Sequence, residues 1–288
     1  MNKLRDIPVD GNIDQQVVND FGEEWSRLNQ DAMPQDEAER QFNAYFAIFP
    51  WRRISPDAEG VDVGCGSGRW AKYVAPRVGR LHCVDPSEAI EVAKEKLKTC
   101  PNCDFHRSGV GALPFEDNSL DFGYSLGVLH HIPDTGRGIA DCVTKLKPGA
   151  PFLIYLYYSF DNKPAWYKWL WKASDYIRKA VSALPGAYKY PVSQLFALFV
   201  YWPLARTALM MNKLGFKVDS WPLGFYKDKS FYMMRTDALD RLGTRLEKRF
   251  SRQEIKEMMT AAGLVNVHFS DSQPYHCAIG YKKLVCVE

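Results

Sequence analysis

The stretch VDVGCGSGRW, residues 61–70, restricts the fold of this chain more than any other. Val61 and Val63 are β-branched and flank Asp62, and Gly64, Gly66 and Gly68 follow at alternate positions. β-Branched side chains favour extended backbone on a packed surface. Glycines at the carboxyl end of such a strand let the chain turn sharply and let a ligand approach the main chain. The stretch therefore reads as strand, glycine turn and helix, with the turn serving as a cofactor loop.

The chain downstream repeats that pattern. Residues 67–75 read as a helix stopped by Pro76, and 81–84 as a second strand closed by Asp85. Asp85, Pro86 and Ser87 open a helix over 88–97, with proline and acids at its positive end. Phe105 marks a third strand, 120–126 a fourth and 151–158 a strongly apolar fifth, while Asp134 is placed to cap a helix running to Leu146. Near the C-terminus Ser251 and Glu254 spell a capping box, Gly263 stops that helix, and 265–269 and 277–281 read as a final strand pair at one sheet edge. This alternation predicts an α/β fold, a doubly wound, mostly parallel seven-strand sheet with an antiparallel edge strand and a helical insertion after the fifth strand.

The predicted organisation has four parts. Residues 1–50 form an N-terminal helical cap, in which FGEEW (21–25) either covers a site or docks on the core, and Phe42, Tyr45, Phe46 and Phe49 stand at helical spacing. Residues 51–158 form the cofactor-binding core, 159–249 a helical, aromatic substrate cap, and 250–288 the helix and strands that complete the core.

Charge and cysteine content narrow the partners. Lysine and arginine number 37 against 34 acids, so a net charge of +3 gives no electrostatic case for a nucleic-acid backbone. Seven scattered cysteines read as reduced thiols, and the lone CxxC at Cys100 and Cys103 lacks the second ligand pair of a metal site, so no metal is expected. The opening MNKLRDIPVDGN has no signal-peptide core, and no run of about 18 uninterrupted apolar residues marks a spanning helix. A cytoplasmic protein, peripheral to a membrane at most, is the expectation.

The glycine loop discriminates between cofactors. A dinucleotide fingerprint needs its third glycine where Arg69 stands. The loop with Asp62 two residues ahead of it and Asp85 closing the next strand instead resembles the class I, Rossmann-like S-adenosylmethionine-dependent methyltransferases, in the subgroup that contains many small-molecule and lipid-quinone methylases. The resemblance covers 59–158 and resumes over 249–283. It includes Ala112-Leu113-Pro114-Phe115, Leu120-Asp121-Phe122 and Val128-Leu129-His130-His131-Ile132-Pro133-Asp134. It implies S-adenosylmethionine as cofactor, held by Asp62, Gly64, Cys65, Gly66, Gly68, Asp85, Pro86, Val110, Gly111, Ala112 and Leu126. Asp62 would answer the ammonium of the cofactor and Asp85 its ribose hydroxyls. Where relatives often carry an acid for the adenine amino group this chain has Gly109, which shifts that task to the backbone near Val110 and Gly111, or to Ser108.

His130 and His131 end the fourth strand on the ligand side, which makes either a candidate base, with His131 preferred. Tyr155 and Tyr157 should point to one side of the fifth strand and Tyr158 to the other. His82, His106, His268 and His276 read as structural residues of strands away from the ligand end.

The insertion crowds Trp166, Trp169, Leu170 and Trp171 together with Lys168, Lys172, Arg178 and Lys179. A second apolar run, 195–205, contains Pro203 and is too short to cross a bilayer, so it reads as a buried cap helix or an interfacial one. Either suits a bulky or amphiphilic acceptor. The expected activity is methyl transfer to a small-molecule, glycan-precursor or lipid-linked acceptor. A catalytically inactive cofactor-binding partner subunit and a nicotinamide-dependent dehydrogenase are the alternatives.

Overall fold

The computed structural model describes residues 12–28, 31–160, 164–218 and 220–284; residues 1–11 of the predicted N-terminal cap lie outside them. The chain divides into two compact units. The first comprises residues 1–29, 40–159 and 248–288, and the second residues 30–39 and 160–247.

The first unit begins with helix α1 (Gln15–Arg27), and helix α2 (Gln35–Tyr45) enters it at Arg40. Strand β1 (Glu59–Val63), helix α3 (Ala71–Val74), strand β2 (Arg80–Val84), helix α4 (Ala89–Lys96), strand β3 (Cys103–His106) and strand β4 (Phe122–Leu126) then follow. Helix α5 (Thr135–Lys145) leads into strand β5 (Pro151–Tyr155). The sheet is ordered β3-β2-β1-β4-β5-β7-β6, its last two strands being β7 (Cys277–Lys282) and β6 (Leu264–Phe269). β1 to β5 pair in parallel and β7 runs against both neighbours. Strand order reverses between β1 and β4, the switch point where open sheets of this kind leave a crevice at their carboxyl ends.

Apolar layers cover both faces of the sheet. Phe42, Phe46, Trp70, Ile90 and Leu97 pack with Tyr124 on one face; Val61, Val63, Ile139 and Val143 pack with Ile255 and Met259 on the other. The period of two in β1 sends Val61 and Val63 to one layer and leaves Asp62 facing the opposite way. Registers place Phe105, Cys83, Asp62, Tyr124, Leu153 and Ile279 side by side across six strands. One acid thus sits in an otherwise apolar or aromatic row.

Three elements depart from the sequence reading. The helix expected over 67–75 starts at Ala71, because Gly66 and Gly68 hold φ of +52° and +75° and keep the chain turning through Trp70. β4 starts at Phe122, with Leu120 left in an isolated bridge to Leu146. β5 ends at Tyr155, opposite Cys277, where β7 begins; beyond it Tyr158 makes an isolated bridge with Phe250. Asp134 caps α5 by accepting from the Arg137 N–H, and helix α10 (Arg252–Ala261) carries both halves of the capping box expected from Ser251 and Glu254.

In the second unit, helix α6 (Ala165–Ser182) precedes one continuous helix, Gly186–Lys213. The latter comprises α7 (Gly186–Phe196), a π-turn (Ala197–Tyr201) and α8 (Trp202–Lys213). Helix α9 (Phe231–Gly243) follows, and Met233, Met234 and Ala238 on it meet Met33, Ala197, Tyr201 and Ala205. The Glu37 carboxylate accepts from the Ser230 N–H at the start of α9 at 3.1 Å. The apolar run expected as an isolated short segment is therefore part of a 28-residue helix, long and apolar enough by length and composition to cross a bilayer. Pro191 lies inside this helix, and Pro203 stands at the second residue of α8 without ending it.

Candidate active site

The glycine turn builds the centre of the site. Gly64 and Cys65 donate their N–H groups to the Val84 carbonyl at 2.7 and 3.0 Å, which ties the turn to the end of β2. Gly64 has φ +77°, and a Cβ there would lie 2.4 Å from Val128, so only glycine fits between the two loops. Ser67 Oγ is buried in the turn without a hydrogen-bond partner among the described residues. The Cys65 thiol, pushed up to about 11 by burial, stays protonated at neutral pH and points to the Gly66 carbonyl.

The two acids differ in how they are held. Asp85 is buried and already engaged: one oxygen accepts from the Gly66 N–H at 2.9 Å, the other from the Ser87 N–H at 2.9 Å and its hydroxyl at 2.6 Å. Burial raises its pKa, opposed by these bonds and by the Arg107 charge. Asp85 therefore braces the glycine turn against the start of α4 and keeps limited accepting capacity for anything else. Asp62 is buried with neither oxygen in good hydrogen-bond geometry. Burial pushes it up to about 8, although the nearby Tyr124 hydroxyl pulls the other way. Among the described residues no cation stands beside this buried carboxyl to offset its loss of water.

The remaining predicted binding residues sit around this centre. Pro86 follows Asp85 and its carbonyl accepts from Arg107 Nε at 3.5 Å. Val110, Gly111 and Ala112 form a single 3₁₀ turn, in which the side chain of Val110 packs into the core beside α5. Leu126 closes β4 in the opposite layer. Ser108, expected beside adenine, instead donates its hydroxyl to the carbonyls of Ala112 at 2.6 Å and Gly109 at 3.2 Å, which fixes its own loop. Arg69 lies over the Trp70 ring at 4.1 Å and bonds to Gln41, so the third dinucleotide position is a structural residue here.

His130 and His131 occupy a 3₁₀ turn after β4. The His130 ring is fully buried, lies 3.9 Å from the Tyr157 ring and has no hydrogen-bond partner at either nitrogen among the described residues; burial holds its pKa well below the usual imidazole range. His131 is 4.1 Å from it and packs between Phe21 (4.9 Å) and Tyr157 (5.6 Å). The Arg249 guanidinium lies over the Tyr157 ring, 5.1 Å from its centroid. Tyr155 lies 6.0 Å from Tyr157, while Tyr158, beyond the end of β5, turns to Tyr275 and His276. His276 corrects the sequence reading. It precedes β7, whose first residue pairs with Tyr155, so it stands at the ligand end of the sheet. His82 and His106, 3.1 Å apart, form a side-chain cluster with Glu59, and His106 ends β3 beside Val84, at the carboxyl end of the parallel strands rather than away from it as the sequence reading placed it.

Helix α1 supplies residues that sequence reasoning left unassigned. Asn12, just before it, exchanges two hydrogen bonds with the backbone of Asp134, at 2.8 and 3.0 Å. Phe21 reaches His131, and the Trp25 indole nitrogen would sit 3.3 Å from a Cβ on Gly66. The helix thus lies over the glycine turn and the histidine turn together. The only available signal was the acid-flanking aromatic pair in FGEEW.

Residues 61–154 match the methyltransferase domain family model. The chain is 35% identical over 108 residues to phosphoethanolamine N-methyltransferase 2 of Caenorhabditis elegans, a match covering 36% of this chain and 25% of that protein. It is 25% identical over 182 residues to the demethylmenaquinone methyltransferase of Tropheryma whipplei, covering 59% of this chain and 74% of the relative. The chain thus spans about a quarter of the length of the worm enzyme. A solved structure from Thermotoga maritima, described as a possible histamine N-methyltransferase, aligns over 91% of this chain and all of its own, with a TM-score of 0.46 and 16% identity.

Proposed function

We propose that this chain, whose residues 61–154 match the methyltransferase domain family model, is a class I S-adenosylmethionine-dependent methyltransferase that moves a methyl group to a small-molecule or amphiphilic acceptor at the carboxyl ends of β1, β2, β4 and β5. The observation that carries the proposal is the uncompensated carboxyl of Asp62 behind a turn of three positive-φ glycines. A ligand with an ammonium group supplies the missing cation, and the glycine backbone admits it without side-chain obstruction. Ser67 Oγ offers one further polar contact in the same turn. Asp85 keeps the turn in place and has one lone pair, on the oxygen bonded to Gly66, available to a ribose hydroxyl.

S-adenosylmethionine supplies, when bound, a methyl group on a sulfonium, which is transferred by in-line displacement. The protein's part is to hold the acceptor on the far side of that methyl and to exclude water. Phe21, Trp25 and Tyr157 form aromatic walls beside the two turns. A protonated acceptor also needs a base. His130 is fully enclosed and a weak acceptor of protons, so it serves as a wall, and His131 is the base. The acceptor is proposed to be a small molecule, a glycan precursor or a lipid-linked molecule. A relative named for phosphoethanolamine supports the small-molecule reading and one named for demethylmenaquinone the lipid-quinone reading.

Calorimetric titration of the protein with S-adenosylmethionine tests the reading. Binding is expected in the wild type and its loss in Gly66→Val, where φ is +52° and Trp25 is close. Asp85→Ala should weaken binding, through the turn as well as the ribose contact. Absence of binding, or binding untouched by both substitutions, sinks the proposal. Screening sugar nucleotides, phenols and isoprenoid lipids for release of S-adenosylhomocysteine then identifies the acceptor class and separates an active enzyme from an inactive partner subunit.

A further inference from the structure

The second unit exposes two apolar stripes. On α6, Trp166, Trp169, Leu170, Tyr176 and Ile177 recur at spacings of three, four and seven, so they share one side of the helix, and Trp169 is 72% exposed. On the long helix Gly186–Lys213, Leu195, Phe199, Trp202 and Met210 are likewise turned outward, Phe199 being 69% exposed. The opposite side of that helix carries Ser193, Ala197, Tyr201 and Ala205, which are buried. Folded soluble chains seldom leave so many large apolar side chains on contiguous turns without a partner.

Charge identifies the partner. Lys168, Lys172 and Lys179 line one flank of the α6 stripe, and Lys172 lies 5.5 Å from the Trp169 ring. Residues 160–247 hold fourteen lysines and arginines against seven acids. Tryptophan and tyrosine prefer the headgroup level of a bilayer, and lysines beside them reach the phosphates with their stems on apolar surface. A second copy of this chain would bring lysines against lysines and is disfavoured.

The mode of contact follows from what packs on the back of the long helix. At about 42 Å the helix exceeds the hydrocarbon thickness. Its inner side, however, is packed against α9, which carries Arg235, Asp237, Asp240 and Arg241. Arg206, in its second half, donates to the carbonyls of Lys227 and Lys229 at 3.3 and 3.2 Å. Spanning would carry these charges into hydrocarbon at a cost of several kcal/mol. We propose that the second unit docks on an anionic bilayer surface, with α6 and the long helix lying in the interface plane and Trp166, Trp169, Leu195, Phe199 and Trp202 inserted among the acyl chains. This docking does not depend on the acceptor or on methyl transfer.

The experiment is sedimentation of the full chain with vesicles of phosphatidylcholine alone and of phosphatidylcholine with phosphatidylglycerol. Wild type should pellet with the anionic vesicles, less with the neutral ones, and be released by alkaline carbonate. The double variant Trp169→Glu/Phe199→Glu alters two well-exposed side chains and should bind roughly tenfold or more weakly. Its circular dichroism and S-adenosylmethionine titration should match wild type, which separates lost docking from lost fold or lost cofactor binding. If that variant does not fold, Lys168→Glu/Lys172→Glu should show the same loss on anionic vesicles. Three results overturn the proposal: no wild-type sedimentation, undiminished sedimentation of the folded variants, or retention through the carbonate wash, which would mean a spanning helix.

Discussion

Asp62 is the side chain whose state most depends on what the site holds. Its carboxyl keeps its proton up to about pH 8 in the folded protein against an ordinary value of 3.8, because burial between Cys83 and Tyr124 withholds water from the charged form. Between those two values the native state binds the extra proton, so this group's contribution to stability is full below about pH 4 and falls as pH rises towards 8. The melting temperature of the cofactor-free protein should therefore decline more steeply across that window in wild type than in Asp62→Asn. A cation beside Asp62 reverses the preference and drives the proton off. Titration with S-adenosylmethionine near neutral pH, in two buffers of different ionisation heat, should report the release of about one proton in wild type and none in Asp62→Asn. Equal proton release in both would show that another group answers the ammonium. The acid itself was plain in the sequence. Its neutrality was not, since it follows from a cross-strand row that sets Phe105, Cys83, Tyr124 and Leu153 alongside it.

Elements were legible where their signals are local. The glycine turn, the Asp134 cap and the capping box of α10 each depend on residues within a few positions of one another. In α10 the Ser251 hydroxyl accepts from the Glu254 N–H at 3.2 Å, while the Glu254 carboxylate accepts from the Ser251 N–H at 2.7 Å. Ser251→Ala removes the first bond and should cost about 1 kcal/mol, read as a lower urea midpoint with an unchanged slope. No change in midpoint would show that α10 is held by Ile255 and Met259 alone. Elements whose limits are set by distant partners were not legible. β5 stops at Tyr155 because β7 starts opposite it, which no residue near Tyr155 announces. The long helix was hidden by Pro203, which read as an interruption of the apolar run, whereas the π-turn between α7 and α8 shows local backbone adjustment in the same helix. His276 was misplaced for a related reason: an antiparallel β7 brings its beginning to the end where the parallel strands finish.

At the scale of the whole molecule, the first unit is assembled from separated stretches of chain and resumes at Lys248, shortly before the capping box of α10. The sequence did not show that residues 30–39 belong with 160–247. That association rests on Met33 in the second core and on a bond between Glu37 and Ser230, 193 positions apart. The junction of the first unit is well defined on both sides. The Phe250 N–H donates to Tyr157 at 2.9 Å, the Ser159 N–H donates to Phe250 at 3.0 Å, and the Lys248 N–H donates to the His130 carbonyl at 3.1 Å. The chain ends left by excising 160–247 are therefore already held together by backbone hydrogen bonds. A variant joining Ser159 to Lys248 through a short Gly-Ser link should unfold in one cooperative step and bind S-adenosylmethionine with unchanged affinity, because every residue assigned to the cofactor lies in the first unit. The same variant should no longer pellet with anionic vesicles, since both exposed stripes are gone. Calorimetric titration and vesicle sedimentation on the one preparation read both outcomes. Loss of cofactor binding in a variant that still folds cooperatively would mean that the second unit completes the cofactor site. Persistent vesicle binding would place the membrane contact in the first unit instead.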